Sequence, residues 1–127
     1  MIVYHCPDLL SATRIKSTAD ALGIPCRPVR TLEMLRARLA DCAVRGLIVD
    51  LECGQTAIEC IAALRGVDVA DAHRAIRIVA YGPHVETEAL RIAAATGADA
   101  ILTRGAFVSR LPDILNSLSG EQPRSDK

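Results

Sequence analysis

The stretch GLIVDL, residues 46–51, decides the fold. It is apolar until Asp50, as a central strand buried on both faces must be. Working outward, short runs rich in Val and Ile recur with helical patterns between them, the mark of a parallel α/β sheet. Upstream, IPCRPVR (24–30) carries Pro25 and Pro28, which only an edge strand tolerates, so this strand belongs at the side of the sheet. The first strand covers 2–5. The helix after it runs through SATRIKSTADALG, with Ile15, Ala19 and Leu22 on one face and Gly23 as its stop. Thr31 caps a second helix with Leu32, Leu35 and Leu39 at spacings of three and four.

Downstream, a third helix is expected over 56–65 and a loop over VDVADAHR. IRIVAY (76–81) makes the fourth strand. Glu86 and Glu88 favour a helix start after His84, and that helix stops at Gly97. ADAILT makes the fifth strand. One last helix carries Phe107, Leu111, Ile114, Leu115 and Leu118 on one stripe, with Pro112 in or near its first turn. Five strands alternate with five helices, without internal repeats. Right-handed crossovers and an edge second strand give a doubly wound, flavodoxin-like sandwich with a parallel sheet of order 2-1-3-4-5. One domain is expected over 1–118, followed by a flexible tail over 119–127. In such sheets ligands sit at the carboxyl ends of the strands. That rim gathers His5 and Cys6, residues 50–53, Gly82 and His84, and Thr103 and Arg104.

Composition narrows the function. The chain has 127 residues, and fifteen Lys and Arg balance fifteen Asp and Glu. This excludes a general nucleic-acid coat and a polybasic membrane binder. Aromatic residues are limited to Tyr4, Tyr81 and Phe107, so a base-stacking platform is also excluded. The five cysteines (6, 26, 42, 53 and 60) are scattered, with no C-x-x-C pair. No signal peptide or membrane span is visible, and a reducing cytoplasm is the expected home. Phosphate loops of the G-x-x-x-x-G-K-[ST] and G-x-G-x-x-G types, a G-x-S-x-G elbow, a cobalamin D-x-H-x-x-G and an FMN phosphate loop are all missing.

Two stretches, GLIVDL and GADAILTRGAF (97–107), resemble the receiver (CheY-like) domain of two-component response regulators. The first ends in an acid where receivers keep the aspartate that takes the phosphoryl group. The second is similar to their G-A-D-x-x-L-x-K-P-F run. The resemblance covers the chain to about Leu118 and makes Asp50 the phosphoacceptor equivalent, with Gly82 and Arg104 at the switch positions. It also implies departures. Receivers end their first strand with an acid pair that holds Mg²⁺, whereas here the positions read Tyr4, His5, Cys6 and Pro7. Gly82 stands where a Ser or Thr hydroxyl is needed. Arg104 replaces Lys, changing a point charge to a planar fork.

The chain is therefore read as a stand-alone degenerate (pseudo-) receiver: not an enzyme, without cofactor, acting by binding a protein partner. The resemblance places partner contacts, and a homodimer surface, on the face of the fourth helix, fifth strand and fifth helix, here 90–94, Arg104 and 109–117. No membrane or nucleic-acid partner is expected. Asp50 is read as paired with Arg104 across the rim, which would lower its pKa.

Three rivals remain. One is a phosphorylatable receiver with Mg²⁺ held by Asp8, Asp50 and Glu52. Another is a sensor of small anions at the rim through Arg104 and His84. The third is an enzyme built on His5, Cys6 and His84, which lacks any nucleophile–base–orienter spacing. His5, Cys6, Cys53 and His84 are ligand types that zinc prefers, but their spacing does not demand a site. Cys53 beside Gly54 is placed as an exposed thiol at a helix start, a position that lowers thiol pKa. The arginines at 27, 30, 36, 38 and 45 read as a solvated helix face in preference to a docking face.

Overall fold

The structure, a computed structural model, describes residues 1–66, 69–82 and 87–119, without the side chains of Cys53 and residues 87–90. Its strands are β1 (Ile2–His5), β2 (Cys26–Pro28), β3 (Gly46–Asp50), β4 (Arg77–Gly82) and β5 (Ala100–Thr103). They form one parallel sheet of order β2-β1-β3-β4-β5, with the proline-bearing β2 at the edge. β3 is buried along its whole length, as its apolar run requires. The fold read from the sequence is the fold observed.

The helices are α1 (Leu9–Leu22), α2 (Leu32–Asp41), α3 (Gln55–Arg65), α4 (Asp71–Arg74), α5 (Thr87–Thr96), α6 (Arg104–Ser109) and α7 (Leu111–Leu118), with a 3₁₀ turn over Leu51–Cys53. Alternate strand residues face opposite sides of the sheet. Val3, Leu47, Val49, Ile78 and Ala80 pack with Leu35 of α2, Ala57 and Ile61 of α3 and Ala93 of α5. On the other side Ile2, Tyr4, Ile48, Val79 and Tyr81 meet Ile15 of α1, Phe107 of α6, and Leu111 and Leu115 of α7.

Three local readings are corrected. The segment expected as a loop contains the one-turn helix α4. The single last helix is broken at Arg110 (φ −108°, ψ 10°), because Pro112 supplies no N–H and its ring excludes a helical carbonyl four residues back. Leu22, expected on the buried stripe of α1, is 40% exposed. The helix ends there in a Schellman turn at Gly23 (φ +73°): Gly23 N–H donates to Asp20 O and Ile24 N–H to Ala19 O. Ile24, 6% exposed, is then the buried residue of this end.

The G-A-D run also acquires a structural role. Asp99 Oδ2 accepts from Ile78 N–H at 2.6 Å and from Arg65 Nη2 at 2.7 Å, joining β4, β5 and α3. Of the expected tail, only Ser119 is among the described residues; it caps α7.

Packing is tight where β3 begins. A Cβ on Gly46 would lie 2.8 Å from Leu118 Cβ and 3.0 and 3.1 Å from its Cδ2 and Cγ, the two atoms that truncation to alanine removes. Gly46→Ala is expected to cost about 1–3 kcal/mol in urea unfolding. Truncating Leu118 in the same chain should recover part of that loss, and strict additivity of the two changes would rule out the clash.

Candidate functional site

The strand alternation sets the rim. Asp50 pairs in register with Tyr81, and Tyr81 with Leu102. Cys6, Asp50, Tyr81 and Arg104 therefore share the α1/α7 side at the carboxyl end of the sheet. Asp50 is fully buried. Its Oδ1 accepts from Glu52 N–H at 2.9 Å, closing the 3₁₀ turn. Its Oδ2 lies 3.7 Å from Arg104 Nη2. The same Nη2 is 3.2 Å from Glu52 Oε1, and Nη1 is 4.0 Å from Asp8 Oδ2 and 3.2 Å from Ser11 Oγ. One guanidinium thus stands within 4 Å of three carboxylates.

Asp8 is the N-cap of α1. Its carboxylate accepts from the N–H groups of Leu10 and Ser11 and from Ser11 Oγ. Those bonds, above all from Ser11, hold its pKa below the ordinary carboxylate value. Asp50 goes the other way, which corrects the reading that pairing with Arg104 lowers its pKa. Burial raises the carboxyl above its ordinary value, and the Glu52 N–H and Arg104 only reduce that rise. Arg104 is itself penalised by partial burial, but the facing carboxylates hold its pKa above the ordinary arginine value.

Beneath this group lies a residue that sequence reasoning did not single out. The Tyr81 ring stacks on Phe107 with centroids 4.1 Å apart and planes 9° from parallel. The Arg104 guanidinium lies 5.4 Å from the Tyr81 centroid, a cation–π contact. The Tyr81 hydroxyl and Cys6 Sγ share a hydrogen bond of 3.0 Å, and Sγ also sits 3.9 Å from Asp50 Oδ2. Burial pushes both Tyr81 and the Cys6 thiol up, so both stay protonated. The signal was available: Tyr81 follows Val79 by two residues, on the same face as Asp50.

Comparison with solved structures fits this architecture. The chain superposes on a putative response regulator from Chloroflexus aurantiacus with a TM-score of 0.78 at 13% identity, covering 94% of this chain and 96% of that one. For the signal receiver domain of a signal transduction histidine kinase from Syntrophus aciditrophicus the TM-score is 0.77 at 16% identity, with 99% and 94% covered. For a response regulator from Hahella chejuensis it is 0.75 at 15% identity, with 97% and 98% covered. The chain has the receiver-domain fold. No protein-family model and no curated protein matches its sequence.

In receivers the equivalent rim holds Mg²⁺, and the residues here do not fit that ion. Mg²⁺ demands oxygen ligands in near-octahedral geometry, whereas the end of β1 offers His5 nitrogen and Cys6 sulfur. Asp8, Asp50 and Glu52, the ligands of the phosphorylatable rival, instead surround Arg104. Among the described residues no three His, Cys, Asp or Glu side chains are placed to hold a metal ion.

Gly82 is buried at the end of β4, and a Cβ there would meet Leu51 Cβ at 3.3 Å. His84 and the side chain of Cys53 lie outside the described residues. His5 donates its Nδ1–H to Val29 O at 2.8 Å, since a carbonyl can only accept. It is therefore held at the β2 side, away from the Arg104 group.

The two aspartates predict opposite pH trends. The folded pKa of Asp50 lies above its unfolded value, so its favourable contribution is complete in acid and is lost as pH rises through the folded value. Asp8 is lowered, so its contribution is present above the ordinary 3.8 and is lost as pH falls through the folded value. As pH rises above about 3.8, Asp50→Asn should gain stability relative to the native chain, whereas the deficit of Asp8→Asn should stay constant there and shrink only as pH falls below that value. Parallel trends in urea titrations of the two variants would sink this account.

Proposed function

We propose that the chain is a regulatory module of signal transduction that uses the receiver fold for protein–protein contact, without aspartyl phosphorylation and without enzymatic activity of its own. The observation that carries this reading is the Arg104 guanidinium, which occupies the space between Asp8, Asp50 and Glu52. A phosphoryl acceptor needs a divalent cation beside it and an accessible oxygen. Here the cation is tethered to the chain, and the acceptor equivalent is fully buried. Gly82 supplies no hydroxyl with which to follow a new anion.

The test is a thermal melt with and without Mg²⁺ plus beryllofluoride, a phosphoryl mimic. A ligand of the native state at a hundredfold excess over its dissociation constant raises stability by roughly 2.7 kcal/mol, several degrees for a domain of this size. The expected result is no shift, in the native chain or in Asp50→Asn. A shift of several degrees that Asp50→Asn abolishes would establish the phosphorylatable reading instead.

For the contact surface, the reading favours the face of α5, β5 and α7. Ile92 of α5 is 42% exposed, and Arg91 and Ala94 beside it are exposed as well. On α7, Pro112 and Asp113 are also open to solvent. On this reading the partner that covers Ile92 is in the first place a second copy of the chain. Sedimentation velocity should show concentration-dependent dimerisation that Ile92→Asp removes. Dimers that survive Ile92→Asp would move the interface elsewhere.

A further inference from the structure

A cavity of about 680 Å³ lies between α1 and the carboxyl ends of β1 and β2, with Cys6 as the one residue it shares with the group around Arg104. Its size falls within the range of small-molecule sites. Tyr4, His5, Leu9, Lys16, Val29 and Arg30 line it. One polar group of this wall is open and another is unmatched. Tyr4 is 4% exposed as a residue, but its hydroxyl is not buried and makes no hydrogen bond among the described residues, so it is free to meet a molecule in the cavity. His5 is 6% exposed. With Nδ1–H committed to Val29 O, its Nε2 is buried with a lone pair and no partner.

The charges at the mouth have a sign. Lys16 pairs with Asp20, which also lines the cavity, at 2.9 Å across one turn of α1; both are about half exposed. Such a pair is held weakly. The Arg30 guanidinium makes no ion pair among the described residues, so the mouth carries one positive charge in excess. Leu9, 78% exposed, and the half-buried Ala12 of α1 supply apolar surface to the cavity wall.

We propose that this cavity binds a small organic anion: a carboxylate at Lys16 and Arg30, an apolar body against Leu9 and Ala12, and a hydroxyl hydrogen-bonded to Tyr4. A hydroxyl there can both donate and accept, and it replaces the water that Tyr4 otherwise needs. The site does not depend on the Arg104 group and stands whether or not Asp50 is ever phosphorylated.

The test is a titration of the ¹⁵N-labelled chain with 3-(4-hydroxyphenyl)propionate, followed by amide chemical shifts. Saturable shifts are expected at Thr13, Ser17 and Arg30. Tyr4→Phe removes one hydroxyl and should weaken binding about threefold; Lys16→Ala combined with Arg30→Ala should weaken it about fivefold or more. 4-Ethylphenol, which lacks the carboxylate, should lose about as much as the double variant. The spectra themselves report whether each variant is folded, and the two surface changes guard against a failure of Tyr4→Phe to fold. No saturation up to the solubility limit would overturn the proposal. So would saturation unchanged in the folded variants, or shifts confined to Glu52, Thr103 and Ala106 around Arg104.

Discussion

A carboxylate with no solvent-exposed surface governs the rim of this protein. Asp50 ends the central strand, where the sheet leaves it no room to turn outward, and a buried charge persists only if it is paired and hydrogen-bonded. The Glu52 N–H supplies one bond by folding the chain into a 3₁₀ turn. The cation comes from the end of β5, reaching past β4. Its planar fork matters here. Nη2 serves Asp50 and Glu52, while Nη1 serves Asp8 and Ser11, so one residue ties the start of α1, the end of β3 and the end of β5 together. A lysine is a single point charge and could not span both sides.

The same cation leaves the pKa values of its two aspartates shifted in opposite directions because their surroundings differ. Asp8 is exposed and caps a helix with three donors, so its charge is stabilised before Arg104 is counted. Asp50 has lost its hydration, and an Arg contact of 3.7 Å, shared with two other acids, does not make that good. Desolvation outweighs attraction when one charge is divided among three partners.

What was legible in the sequence follows from period and punctuation. Pro25 and Pro28 placed β2 at the edge, and the sheet order followed from that. The unbroken run ahead of Asp50 gave the central strand and its buried end. The misses come from features that no period carries. Leu22 keeps helical spacing with Ile15 and Ala19, yet the Schellman turn buries Ile24 instead. Pro112 fits a first turn, but the turn is that of a second helix, because the break lies before it. Tyr81 looked like one more apolar strand residue until the register set it beside Asp50. The cavity beside α1 had no motif, since Tyr4 and His5 come from one strand, Lys16 from the helix, and Arg30 from the loop after an edge strand.

The chemistry of the rim also underlies the proposed use of the receiver fold without phosphorylation. In a phosphorylation site, charge must arrive and leave, so the acceptor oxygen has to be free in at least one state. Asp50 has neither oxygen free: Oδ1 is held by a backbone N–H, and Oδ2 faces Arg104 and the Cys6 thiol. Beneath it, Tyr81 is fixed between Phe107 and the guanidinium, so the ring cannot swing without breaking both a stack and a cation–π contact. These constraints favour one arrangement of the rim over a switch between two. A rim held in one state presents one constant surface, which suits recognition by a partner better than response to a transient modification.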